Sequence, residues 1–145
     1  MQVYYLSGED QPQFQRAIEA GESVTGSTAM LMETGLDSGP ILLQKKLNIL
    51  TNDDSISIHR KLSYLTADCL LHAVDKYQKG KIDPKTQNPL QVSYANKLAK
   101  EEGLIDWSIS SFEIFNKLRA FQPFPGLYTL MNGFNIKVID GTPLK

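Results

Sequence analysis

An α/β fold is what the sequence predicts, and three patterns predict it. Two short apolar runs, residues 28–33 (TAMLME) and 41–50, flank a turn with two glycines and read as strands. Behind the start signal Asn52-Asp53-Asp54-Ser55, apolar residues recur at helical spacing to about Gly80. Near the end, Asn132-Gly133 separates two apolar runs, the strongest short hairpin signal, because both residues tolerate positive φ.

Composition sets the bounds. A chain of 145 residues is long enough for a stable core. With 15 Lys+Arg against 16 Asp+Glu, the net charge of -1 excludes a nucleic-acid binder that works by charge alone. A hydrophobic content of 41% excludes an acidic disordered tail. Cys69 is the one cysteine, so neither an internal disulfide nor a cysteine metal cluster can form, and His59 and His72 are too few for a histidine-rich site. No metal is expected. The N-terminus lacks a basic start followed by an apolar run, and no stretch approaches the ~20 apolar residues that span a membrane. A soluble, cytoplasmic protein with no membrane partner is the expectation.

The elements follow in order. Residues 1–13 are polar and poorly patterned, and residues 14–20 read as the end of a helix with Gly21 as its stop. After the two strands, the long helix places Ile58, Leu62, Leu65, Cys69 and Ala73 on its core stripe, joined by Leu70, Val74 and Tyr77. Lys76, Lys79 and Lys81 suit the negative end of its dipole. Residues 81–94, with two prolines, read as a linker. A short strand at 104–107 and a helix capped by Ser110 or Ser111, running to about Phe121, come next. Gln122-Pro123-Phe124-Pro125-Gly126 breaks the chain before the hairpin strands at 127–131 and 134–139.

Several residues invite functional readings. Asp37, in Gly35-Leu36-Asp37-Ser38-Gly39, sits where a carboxylate can orient a base or bind a polar group, but a Gly-flanked Asp more often bonds its own backbone. His72 reads as half-buried, His59 as exposed and Cys69 as an inert core residue. Lys97, Lys100, Lys117 and Arg119, with Trp107, Phe121 and Phe124, offer phosphate contacts and stacking groups; the plainer reading is a charged face above an aromatic core.

Several segments resemble methionyl-tRNA formyltransferases. They are Gln15-Arg16-Ala17-Ile18 with Gly21, Thr25-Gly26, Met30-Leu31-Met32-Glu33-Thr34-Gly35-Leu36-Asp37-Ser38-Gly39, Tyr94-Ala95-Asn96-Lys97-Leu98, Lys100-Glu101-Glu102-Gly103, Ile105-Asp106-Trp107 and Arg119-Ala120-Phe121-Gln122-Pro123-Phe124-Pro125-Gly126. The resemblance implies the C-terminal part of a Rossmann-like formyltransferase domain (residues 1–83), a linker (84–96) and the start of an OB-like β-barrel domain that binds tRNA (97–145). It implies formyl transfer from 10-formyltetrahydrofolate to the amino group of methionine on initiator tRNA.

In that reaction an Asn and a His stabilise the developing oxyanion and manage the proton, while an Asp orients the His. The resemblance assigns that catalytic Asp to Asp37, places Gly35, Leu36 and Gly39 beside the folate, and makes Lys97 and Lys100 tRNA contacts. The resemblance places the Asn-x-His motif at or before Met1, and neither His59 nor His72 has an Asn two residues before it. A carboxylate that orients a base cannot act without it. This chain alone is therefore expected to be inactive, its missing half supplied in trans if at all. The alternatives are a non-catalytic RNA-binding or interaction module, and a formyltransferase of the sugar-nucleotide type.

Overall fold

The computed structural model describes residues 12–35, 37–88, 90 and 95–144. Its elements are α1 (Gln13–Glu19), β1 (Val24–Met30), β2 (Ile41–Asn48), α2 (Ser55–Gln78), a 3-10 turn (Lys100–Gly103), α3 (Ser111–Ala120), β3 (Leu127–Met131) and β4 (Phe134–Val138). Helices thus accompany two antiparallel pairs, β1–β2 and β3–β4. Residues 1–11, part of the stretch read as unpatterned, lie outside the described residues, as do Leu36, Pro89 and residues 91–94 of the expected linker.

Local chemistry accounts for the helix ends. The Asp54 side chain accepts from the Ser57 amide at 2.8 Å, and Ser57 Oγ reciprocally accepts from the Asp54 amide at 3.1 Å. Ser110 and Glu113 make the same box at the start of α3. Gly21 follows α1 with a φ of 71°, a conformation that costs glycine little. The expected hairpin is present, with Asn132 and Gly133 at φ 52° and 80°.

Three expectations are corrected. The first strand runs over Val24–Met30 rather than 28–33, because its buried face is made of small residues, Thr25, Ser27 and Ala29, that pack under α2. No strand forms at 104–107. The 3-10 turn ends just before this stretch, at Gly103, and Leu104 makes one parallel bridge to Tyr128. Finally, Leu70, Val74 and Tyr77 are exposed, whereas Ile58, Leu62, Cys69 and Ala73 are buried. One helix face meets the sheet; the other apolar residues of α2, with Leu71 and Tyr64, face outward.

The main core draws on both ends of the chain. Ala17, Ile18, Ile49, Ile58 and Leu62 cluster with Ile105, Leu118, Ala120, Phe121 and Leu127. The α1–α3 contact carries much of this union. A smaller cluster of Ala29, Cys69 and Ala73 sits between the sheet and α2. Among the described residues, no helix is long and apolar enough to cross a membrane.

Candidate functional site

The loop joining β1 to β2 carries Asp37. Its neck is closed by the Leu31 amide, which donates to the Pro40 carbonyl at 3.0 Å. Gly39 is buried at this neck, and a Cβ there would lie 1.7 Å from the Leu31 carbonyl oxygen, which excludes any larger residue. Gly35 is exposed nearby, while the assigned Leu36 lies outside the described residues. Asp37 is half-buried and adopts a φ of 51°, a left-handed conformation that Asp tolerates better than most side chains. Among the described residues no donor meets its carboxylate, so the local backbone bond that the pattern suggested is not what shapes this turn.

The turn is held from outside. Residues after α2 return to the sheet, where Lys85 and Ile41 exchange both backbone hydrogen bonds at 2.8 and 2.9 Å. Two residues on, Gln87 Nε2 donates to the carbonyls of Asp37, at 2.8 Å, and Gly39, at 2.7 Å. Sequence reasoning missed Gln87. It stands in a polar stretch without periodicity, and nothing local marks it.

Lys97 and Lys100 are exposed and belong to a different part of the fold, the flank of α1. Arg16 sets them there. Its guanidinium takes both carboxylate oxygens of Glu102, at 2.6 and 3.0 Å, and donates to the carbonyls of Asn96 and Lys97, each at 3.1 Å. A third carboxylate contact goes to Glu19 at 2.8 Å. The Arg16 hydrogen bond holds the Glu102 carboxyl below the usual carboxylate range. Arg16 lies inside a motif that carries the resemblance, but its bridging role is visible only in the fold.

The other candidates are placed as follows. Arg119 is committed to structure: it donates to the carbonyls of Leu50 and Asp53 and to Asn116 Oδ1, at 3.2, 2.8 and 2.6 Å. Burial pushes its guanidinium down from the usual range. Lys117 reaches Glu19 at 3.8 Å, and Phe121 is fully buried and unable to stack on a base. Trp107 and Phe124 are exposed, and Trp107 Nε1 donates to Thr129 Oγ1 at 2.9 Å. His72 is exposed rather than half-buried, because its ring lies against Asp68 one turn back, on the wet side of α2. His59 is exposed beside the Phe14 ring. Burial raises the Cys69 thiol, as suits an inert core residue. Among the described residues no cluster of His, Cys, Asp and Glu has the makings of a metal site.

Comparison with known proteins gives this arrangement its context. The N-terminal formyl transferase domain matches residues 11–74, and the formyl transferase C-terminal domain matches residues 97–145. The methionyl-tRNA formyltransferase of Nitrosospira multiformis is 44% identical over 86% of this chain and 40% of its own length. That of Pelobacter propionicus is 42% identical over 83% of this chain, again 40% of its own length. The chain thus spans about 40% of the length of these curated relatives. The fold is shared with HypX from Aquifex aeolicus in complex with tetrahydrofolic acid, with a TM-score of 0.70 at 20% identity, covering 89% of this chain and 24% of that one. Matched in order by the N-terminal and C-terminal formyl transferase domains, over residues 11–74 and 97–145, the chain belongs to the formyl transferase family.

Proposed function

We propose that these residues form part of a methionyl-tRNA formyltransferase working in the cytoplasm, and that Asp37 serves its reaction. The observation that carries this reading is the Asp37 turn: a half-buried carboxylate with no donor on it among the described residues, in a loop held by two hydrogen bonds from Gln87. A carboxylate on a fixed backbone, with no donor on it among the described residues, is suited to receive the N–H of an imidazole. The His would come from chain outside these 145 residues, since neither His59 nor His72 is preceded by the Asn of the motif.

In the reaction the methionine amino nitrogen attacks the formyl carbon of 10-formyltetrahydrofolate. A C–N bond forms, the bond from the formyl carbon to N10 of the folate breaks, the amine loses a proton and N10 gains one. Asp37 orients the His and supports its positive form during that proton movement. Backbone of Gly35 and Gly39 borders the folate, and Gly35 is exposed at that position. Residues 1–83 belong to the catalytic domain, 84–96 to the connection, and 97–145 to an OB-like domain whose Lys97 and Lys100 meet tRNA phosphates. Alone, the chain does not turn over, because a carboxylate that orients a base cannot act without that base.

A chimera tests this. Residues 14–140 replace the matching stretch of the Nitrosospira multiformis relative, and formyl transfer to methionyl-tRNA is measured. Activity in the chimera, and a loss of about 100-fold or more in kcat for its Asp37→Ala form, is the expected result. Unchanged turnover in Asp37→Ala overturns the role of Asp37. A chimera that folds and formylates an amino sugar nucleotide instead overturns the tRNA reading.

A further inference from the structure

We infer that Gln87 is a positioning residue for the Asp37 turn. The inference rests on the reading of Asp37 given above, but its geometry is independent of it. The side-chain amide has two N–H groups, and Nε2 donates to two carbonyls of one turn, those of Asp37 and Gly39. Fixing the carbonyl of Asp37 fixes the plane of the following peptide. It thereby limits the ψ of Asp37 and the direction of its Cα–Cβ bond.

Asp37 stands at φ 51°, a sparsely populated region that persists only where the surroundings determine it. The neck bond from Leu31 to Pro40 closes the loop but does not reach its tip. Gln87 acts on the tip itself. It is delivered there by the Lys85–Ile41 bridge, so the return of the chain after α2 both extends the sheet and latches the turn. The thioether of Met30, 3.7 Å from Nε2, flanks the same amide.

Side-chain chemistry at this position is restrictive. Gln87→Met keeps length and loses both donors. Gln87→Glu places a carboxylate against two carbonyl oxygens. Gln87→Asn keeps the amide but is one methylene short.

The first test is hydrogen exchange on the 145-residue chain, read by mass spectrometry in peptides covering residues 31–41 and, as the control for folding, α2. Gln87→Met and Gln87→Glu are expected to speed exchange in the loop peptide by about tenfold while α2 keeps its protection. Wild-type exchange in the loop of both overturns the inference. If either variant also loses α2 protection, Gln87→Asn decides on the same two peptides. The second test is kinetic, in the active chimera. Gln87→Met is expected to lower kcat by about tenfold, with KM for the tRNA within about twofold. Full activity of Gln87→Met beside an inactive Asp37→Ala overturns the positioning role and leaves Asp37 standing. Full activity of Asp37→Ala overturns the Asp37 reading, while the exchange result still judges Gln87.

Discussion

Asp53 is nearly inaccessible, at 5% side-chain exposure, and every oxygen of its carboxylate is occupied. Lys61 Nζ reaches both oxygens, at 2.5 and 2.7 Å; Ser57 Oγ and the Leu50 amide add bonds of 2.8 and 3.0 Å. Burial pushes this carboxyl up, but the bonds from Lys61, Leu50 and Ser57 together outweigh it and hold it below its ordinary value of 3.8. The sign of the pH effect follows. The unfolded chain takes up a proton on Asp53 before the folded one does. The contribution is therefore complete above the unfolded value and fades as pH falls through the lower, folded one. Asp53→Asn keeps the shape and discards the charge. It is expected to lower stability by about 1–3 kcal/mol at pH 7, and to flatten the acid limb of a plot of urea-melting free energy against pH. An acid limb identical to that of the wild type would count against this assignment.

At the scale of elements, what could be read from sequence had local chemical causes. The helix starts near Asp54 and Ser110 and the Asn132-Gly133 turn each depend on neighbouring residues, so each was legible, while the partner that completes the box at Asp54, Ser57, is seen only in the fold. Ser110→Ala removes one acceptor from the first turn of α3, and a loss of about 1 kcal/mol in thermal or urea melting is expected. Features set by distant partners were not legible. Strand β1 hides Thr25 and Ser27 under α2, so its buried face is hardly apolar, and the periodicity that marks strands is absent. The second apolar stripe of α2 satisfies helical spacing as well as the first, and only the fold shows which one meets the sheet. The site divides the same way. Asp37 stood out between its glycines, with its role supplied by family resemblance. Gln87 and the bridging of Arg16 depend on contacts across 50 and 86 positions, and no local pattern records them.

At the scale of the molecule, the matched N-terminal and C-terminal stretches share one hydrophobic cluster. Phe121 lies fully buried within it, and Ser55 at the head of α2 donates to the Gln122 carbonyl one residue later. Phe121→Ala is expected to cost about 3–5 kcal/mol. That loss should be felt at both ends of the chain. Unfolding followed by Trp107 fluorescence, in the later stretch, and by helical circular dichroism, dominated by α2 in the earlier one, should shift together. Separated midpoints would mean two independent units.

The bidentate grip of Arg16 on Glu102 has a consequence for how such a chain can be divided. It ties α1 to the first turn after the connection, directly beside the pooled cluster. The linker expected at residues 84–96 suggests a cut there, yet scissors applied at that place would not yield two self-sufficient pieces. Each would keep half of a salt bridge and an uncovered share of the same interior, and would be sticky until it met the other. For exchange between relatives, the natural module is therefore the whole run from α1 to β4.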